Sequence, residues 1–410
     1  DTLISTSSDG LNDPKDLDFH PDLSRFELWV VNHETETNGG TTVTYSNAGK
    51  TAQTSSLKQD GNAYHFMSLP TGIAFSDNGN FGTSPGVYDA NHDGNNPFTG
   101  PSLWSSDPDV YAQPSGGNGS HLDMLHESPY SMGIAHETGN VFWVFDANSN
   151  DIVRYDFGGD HGPGNSDHAD GRVRRFPVPV NWINDEIPCH LVLDKNTGWL
   201  YIADNGNQRV LRLDINSGST AGMPSFGPYE NLAEYKEMTG ITYENYINSG
   251  LVEPSGIDII DDRMIVSDHS NGDIILYDVS GASPNELGKI QTGSAGIMGV
   301  KVGPKGNVWY VNGQNNEVHK LTPNSLSINE TSQNDISIYP NPSDGIFILE
   351  GHTLSGYQIS ITDLLGQKVF EDHILNGSRK TYDLSSFNAG VYFLNISKEK
   401  ESITQRIFIR

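Results

Sequence analysis

The sequence predicts an all-β protein: a six-bladed β-propeller followed by a small antiparallel β-sandwich. Three observations carry this. A unit of short strands broken by Asp-, Gly- and Asn-rich turns recurs six times between Asp13 and Leu321. Its strands alternate or are wholly apolar, and turn signals bound each one. With 44 Gly, 21 Pro and 19% charged residues, the composition is one of many turns rather than long helices.

The copies run in order along the chain. "DPKDLDFHPDLSRFELWVVNHETETNGGTTVTYS" starts at Asp13, "LPTGIAFSDNGNFGTS" at Leu69 and "PYSMGIAHETGNVFWVFDANSNDIVRYDF" at Pro129. "IPCHLVLDKNTGWLYIADNGNQRVLRLD" starts at Ile187, "EPSGIDIIDDRMIVSDHSNGDIILYDV" at Glu253 and "GIMGVKVGPKGNVWYVNGQNNEVHKL" at Gly296. One such unit cannot bury both faces of its sheet; six in a ring can. The sixth copy has three strands, so Leu3 to Thr6 is expected to supply its outer strand, hiding an edge and tying the domain ends together. Aligned inner strands put Asp18, Asp258 and Lys301 at one register, which predicts an ion pair across the closure. The propeller is expected over residues 1–323 and a polar linker over 324–335. A sandwich is expected over 336–410, where "ISIYPNPSDGIFILEG" opens a run of alternating strands.

The phrase "GWLYIADNGNQRVLRLD" resembles the NHL repeat, which implies a six-bladed propeller. "YPNPSDG", "DLLGQKV", "LSSFNAGVYFL" and the terminal "RIFIR" resemble the type A sorting domain of the type IX secretion system. That resemblance implies a member of the Bacteroidota, engagement of the type IX machinery, and a location outside the cell or on its outer-membrane surface. The start at Asp1, without a basic and apolar leader, reads as a mature form.

A net charge of -28 excludes a nucleic-acid binder, which needs a basic face, and suits divalent cations. No apolar run is long enough to predict a transmembrane segment. The single cysteine, Cys189, rules out an internal disulfide. No P-loop, dinucleotide fingerprint, nucleophile elbow or "HExxH" is present, and no catalytic residue is assigned.

In propellers of the type the resemblance implies, the loops preceding inner strands and those joining second to third strands share one face. His65, His121, His126, Cys189 and His190 precede inner strands; His33, His92 and His269 lie in second-to-third loops. Seven histidines are thereby expected to crowd the mouth of the central channel. His33, His126, His190 and His269 are candidate ligands of a transition metal such as zinc or copper, because imidazole is the commonest ligand near neutral pH. His65, His92, His121 and Cys189 are candidate ligand-binding residues. "DANHDG" matches the first half of a calcium loop, so Asp89, Asn91 and Asp93 are candidate calcium ligands. "GGDHGPGNSDHADGRVRR" is expected on the opposite side, with His136; its Asp160, His161, Asp167, His168 and Asp170 are candidate ligands of a cation there. "ENLAEYKEM" predicts a short helix in a Tyr-rich connection.

Two functional expectations follow. The first is a secreted or cell-surface cargo whose propeller face binds a glycan, peptide or surface partner, with divalent cations holding its loops. The second is a metal-dependent lyase or hydrolase at the channel mouth, as in the peptidyl-hydroxyglycine lyases, which are propellers of similar repeat type. In that resemblance a histidine follows the Pro that opens an inner strand; "PCH" places His190 one residue late, and "PTG", "PSG" and "PYS" lack it.

Overall fold

The computed structural model describes residues 1–94, 96–113, 117–165, 167–322, 336–351, 354–363, 367–398 and 401–410. The proposed linker 324–335 lies outside these residues. The chain divides into two compact units, Asp1–Pro323 and Asn324–Arg410.

Among the described residues the first unit holds six sheets, each built on antiparallel neighbours and laid out as a blade, one of them extended by a parallel strand. The inner strands are Pro14–Phe19, Pro70–Phe75, Ser131–Thr138, Leu191–Asp194, Pro254–Ile260 and Ile297–Val302. Each touches the next, and the sixth touches the first, so the ring is closed. Thr2–Ser5 pairs antiparallel with Glu317–Leu321 as the outer strand of the sixth blade. The domain termini are thereby joined by backbone hydrogen bonds rather than left as an open edge.

Closure requires the inner strands to approach closely. At one register the repeat carries Gly72, Gly133, Gly256 and Gly299. A Cβ on Gly133 would lie 2.6 Å from the Cys189 carbonyl oxygen; one on Gly299 would lie 2.9 Å from the Asp16 Cα. In the first and fourth blades the same register holds Asp16 and His190 instead. Apolar strand faces fill the seams between blades, with Trp104, Trp143, Phe81, Phe142 and Phe145 fully buried.

The Tyr-rich connection departs from expectation. Glu234–Thr239, which overlaps the segment read as a helix, is a strand that pairs parallel with Arg172–Phe176 of the third blade. That edge offers unpaired backbone groups. Pairing there buries Tyr235 and Met238 in separate core clusters and sets Arg174 against Glu234 at 2.5 Å. A lone helix of this length would gain neither. Tyr243–Ile247 then forms the outer strand of the fourth blade.

Lys301 lies 3.9 Å from Asp18 and 3.8 Å from Asp258, joining the fifth, sixth and first blades. The second unit is a sandwich of a three-stranded and a four-stranded sheet around Phe347, Leu349, Ile359, Ile361, Leu394 and Ile396.

Candidate functional site

The predicted site residues other than His269 separate into three places. His190 lies on the axis. Its Nε2 lies 3.1 Å from the Lys15 carbonyl oxygen and its Nδ1 lies 3.5 Å from Asp16 Oδ2. The fourth blade stands three positions from the first around the ring, so this imidazole reaches across the axis to the opposite blade. Burial lowers the His190 pKa, with Asp16 opposing, and raises that of Asp16, with His190 opposing. Beside it the Lys15 ammonium contacts Asp13 at 2.9 Å and Glu186 at 3.4 Å. His33 lies near this group, but Lys15 already supplies its cation; burial and Lys15 push the His33 pKa down to about 4. Cys189 is fully buried in the core, and burial raises its pKa, so it is held as a thiol away from the loop surface. His269 stands apart in the fifth blade, with Nδ1 on Glu253 at 2.9 Å.

The loop-bearing face carries a pocket of about 270 Å³ lined by Glu36, Leu69, Tyr88, Asp89, His92, Tyr130 and Asp185, among others. Every lining loop either precedes an inner strand or joins a second strand to a third. Tyr88 and Tyr130 meet with ring centroids 5.8 Å apart, and Trp182 backs Tyr130. His92 is fixed by Glu36 at 2.9 Å and by the Tyr64 carbonyl at 2.8 Å. Asp89 accepts from the backbone N–H groups of Asn91, Asp93 and Gly94. Both its oxygens therefore close its own turn, as in an Asx-type loop.

His65, His121 and His126 lie together away from the axis, beside the outer strand of the second blade. His65 Nε2 is 3.3 Å from His126 Nε2. His126 is gripped by Glu230, which accepts from its backbone N–H at 2.7 Å and its Nδ1 at 3.0 Å. Phe98 stacks on the His126 ring and Phe66 on that of His121. The acidic loop expected on the far side also arrives here. His168 Nδ1 donates to Asp123, and His161 Nδ1 lies 3.6 Å from the other oxygen of Asp123. The outer strand Asp123–Met124 is two residues long, so it leaves an edge along which this loop climbs. His136 stays on the far side, bonded to the Gly139 carbonyl and to Lys195. The sequence reading missed Glu230 as a site residue; its one signal was its position at the head of the "ENLAEYKEM" segment.

Next to this cluster Arg175 is almost fully buried. It donates to Asp151 at 2.6 and 3.0 Å, to Asp146, and to the Glu127 carbonyl at 2.6 Å. Glu127 is itself fully buried, and its carboxylate accepts from the Tyr229 backbone N–H at 2.7 Å. Burial pushes its pKa from 4.5 up to about 8, against the Tyr229 bond and Arg175. A raised carboxyl pKa means that the folded state keeps a proton the unfolded chain releases. Stability attributable to Glu127 is therefore complete at acidic pH and lost as pH rises between 4.5 and about 8. We expect Glu127→Gln to reduce the fall in urea midpoint between about pH 5 and about pH 9. An unchanged fall would mean that Glu127 is ionised in the folded protein throughout.

The comparisons divide by domain. An endo-acting ulvan lyase from Formosa agariphila is 23% identical over 125 residues, which cover 29% of this chain and 24% of the lyase. The chain thus matches about a quarter of that relative's length. Among solved structures, an auxiliary nutrient binding protein from Bacteroides ovatus has a TM-score of 0.48 at 12% identity, covering 76% of this chain and 69% of that one. A catalytically inactive virginiamycin B lyase from Staphylococcus aureus with quinupristin has a TM-score of 0.46 at 14% identity, covering 85% of this chain and 95% of that one. Among the described residues no helix is long and apolar enough to cross a membrane. Residues 337–410 match the secretion system C-terminal sorting domain, and this tail marks the chain as cargo exported by type IX secretion to the cell surface or extracellular space.

Proposed function

We propose that the propeller of this exported cargo is a binding module. Its ligand is a glycan of neutral or amino sugars, held in the pocket between Tyr88 and Tyr130. One observation carries this: two tyrosines, one of them 36% exposed, stand beside the carboxylates of Glu36, Asp89 and Asp185 in one concave site. Aromatic faces stack on the apolar faces of sugar rings, and carboxylates accept from hydroxyl or ammonium groups. Three carboxylates on a chain of net charge -28 disfavour a sulfated ligand. The blades are read as NHL-type repeats, which serve here as a scaffold for the loops.

The test is titration calorimetry of the full chain against neutral, amino-sugar and sulfated oligosaccharides. A neutral or amino-sugar ligand is expected to bind, and Tyr88→Ala or Tyr130→Ala to weaken it by about 10-fold or more, a loss of ~1.4 kcal/mol or more. Affinity unaffected by both changes would remove the ligand from this pocket. A metal-dependent lyase or hydrolase is the second reading, favoured by the facing imidazoles of His65 and His126. Chain cleavage of a bound oligosaccharide, abolished by His65→Ala, would select it over simple binding.

A further inference from the structure

We propose that Asp123, His161 and Asp170 hold a divalent transition cation of the zinc class where the acidic loop of the third blade meets the second blade. The proposal goes beyond the ligand pocket and does not depend on it.

Buried polar atoms in folded proteins are nearly always hydrogen-bonded. Three that are not stand together here. Asp123 Oδ2, His161 Nδ1 and Asp170 Oδ1 are each buried, and none has a hydrogen-bond partner among the described residues. One donor atom from each of these residues lies within 4.8 Å of the other two. The second oxygen of each carboxylate is occupied, and that fixes where the free one points. Asp123 Oδ1 accepts from the Met124 backbone N–H at 2.7 Å and from His168 Nδ1. Asp170 Oδ2 accepts from the Gly159 backbone N–H at 2.9 Å.

The His161 imidazole does not satisfy these oxygens, whichever of its nitrogens carry protons. Its Nδ1 lies 3.6 Å from Asp123 Oδ2, beyond hydrogen-bond reach. Its Nε2 lies 3.1 Å from Asp170 Oδ1, yet that oxygen accepts no hydrogen bond, so the two groups are misaligned. Two carboxylate oxygens and an imidazole therefore converge without pairing, and one of the carboxylates, Asp123, is fully buried. A single cation takes a donor atom from all three.

The donor set selects the class of ion. Calcium asks for six to eight oxygens, whereas imidazole with two carboxylates suits zinc. With bonds of about 2.0–2.2 Å, ligand atoms around a tetrahedral ion stand roughly 3.3–3.6 Å apart. His161 and Asp170 are partly exposed, at 18% and 43%, and sit on the loop between Asp151–Asp156 and Arg172–Phe176. Their side chains can close the remaining distance, and water can fill the open position. The other acids of the loop turn elsewhere: Asp160 to Asn80 and Asn140, and Asp167 to the Ala169 N–H. The ion would fasten this loop to the two-residue outer strand Asp123–Met124, with which it shares no strand pairing.

The experiment uses the full chain, stripped with a chelator and then titrated with zinc chloride. The expected result is about one equivalent bound and a higher urea midpoint in saturating zinc. Asp170→Asn and His161→Gln should each weaken binding by about 100-fold or more, since even outer partners of metal ligands cost 10- to 100-fold. Both side chains are partly exposed, so these variants should keep the wild-type circular dichroism, and their midpoints should no longer respond to zinc. Glu230→Gln, outside the set, should change the affinity by less than about 3-fold. Less than about a tenth of an equivalent on the wild-type chain would overturn the proposal. So would full binding by a folded Asp170→Asn variant together with loss on Glu230→Gln, which would put the ion on His126, His168 and Glu230 instead.

Discussion

Replacing Arg175 with alanine is expected to destabilise the propeller by about 3–5 kcal/mol. Arg175 satisfies Asp146 and Asp151 and donates to the Glu127 carbonyl, all at buried positions. Burial raises the pKa of both aspartates while Arg175 lowers it, so their charged forms depend on the guanidinium. Without it, two carboxylates remain in a dry seam. Each must then either take up a proton or carry an unpaired charge. Urea unfolding of the full chain gives the measurement, read on the propeller's tryptophans. Combining Arg175→Met with Asp146→Asn and Asp151→Asn should recover most of the loss, because a buried network removed as a whole costs far less than one broken in half. A loss below about 1 kcal/mol for the alanine variant would show that water reaches the network and screens it.

The second large effect is expected at Gly133. Its φ is +93°, and a Cβ would meet the Cys189 carbonyl oxygen at 2.6 Å and the His190 Cα at 2.9 Å. Neither contact can be relieved by a rotamer change, since both partners are backbone or next to it. Backbone strain and overpacking together should cost about 2–4 kcal/mol on Gly133→Ala. Gly139 provides the control. It also has positive φ, at +51°, but nothing lies within 4 Å of a Cβ placed there. Gly139→Ala should therefore cost about 1 kcal/mol or less. Equal losses at the two positions would mean that the inner strands are free to move apart, and the ring would not be tightly closed at this level.

The strands were legible because they obey local rules. Alternation and turn residues mark "GWLYIADNGNQRVLRLD" as two strands, Trp199–Asp204 and Arg209–Asp214. The register of Lys301 with Asp18 and Asp258 was also readable, since aligned copies of a repeat occupy equivalent positions in a ring. Glu234–Thr239 was not, because its apolar spacing fits a helix and its partner strand lies about 60 residues away. Only the vacant edge of the third blade decides the matter.

The convergence of these histidines, each singled out by itself, was not legible for a related reason. His65, His126, His168 and Glu230 have no motif spacing and come from four separate segments. Two short geometric facts bring them together, a two-residue outer strand and a loop that follows its edge. The expectation that seven histidines gather at one channel mouth treated the loops as short. The loops of the second and third blades are long, and they carry His65 and His126 away from His190, which instead bridges to Lys15 across the axis. In the "PCH" stretch Cys189 packs into the core, and His190 reaches the Asp16 carboxylate of the first blade.

Ligand discrimination at the loop-bearing face tests the functional reading most directly. Calorimetric titration of the full chain with matched neutral and sulfated oligosaccharides should give a measurable affinity for a neutral or amino-sugar chain. It should give at least about 10-fold weaker binding of the sulfated one, with the preference reduced when Glu36 and Asp185 are changed to Gln and Asn. Preferential binding of the sulfated chain, unaltered by those two changes, would contradict the assignment of the acidic tyrosine-lined pocket as the recognition site.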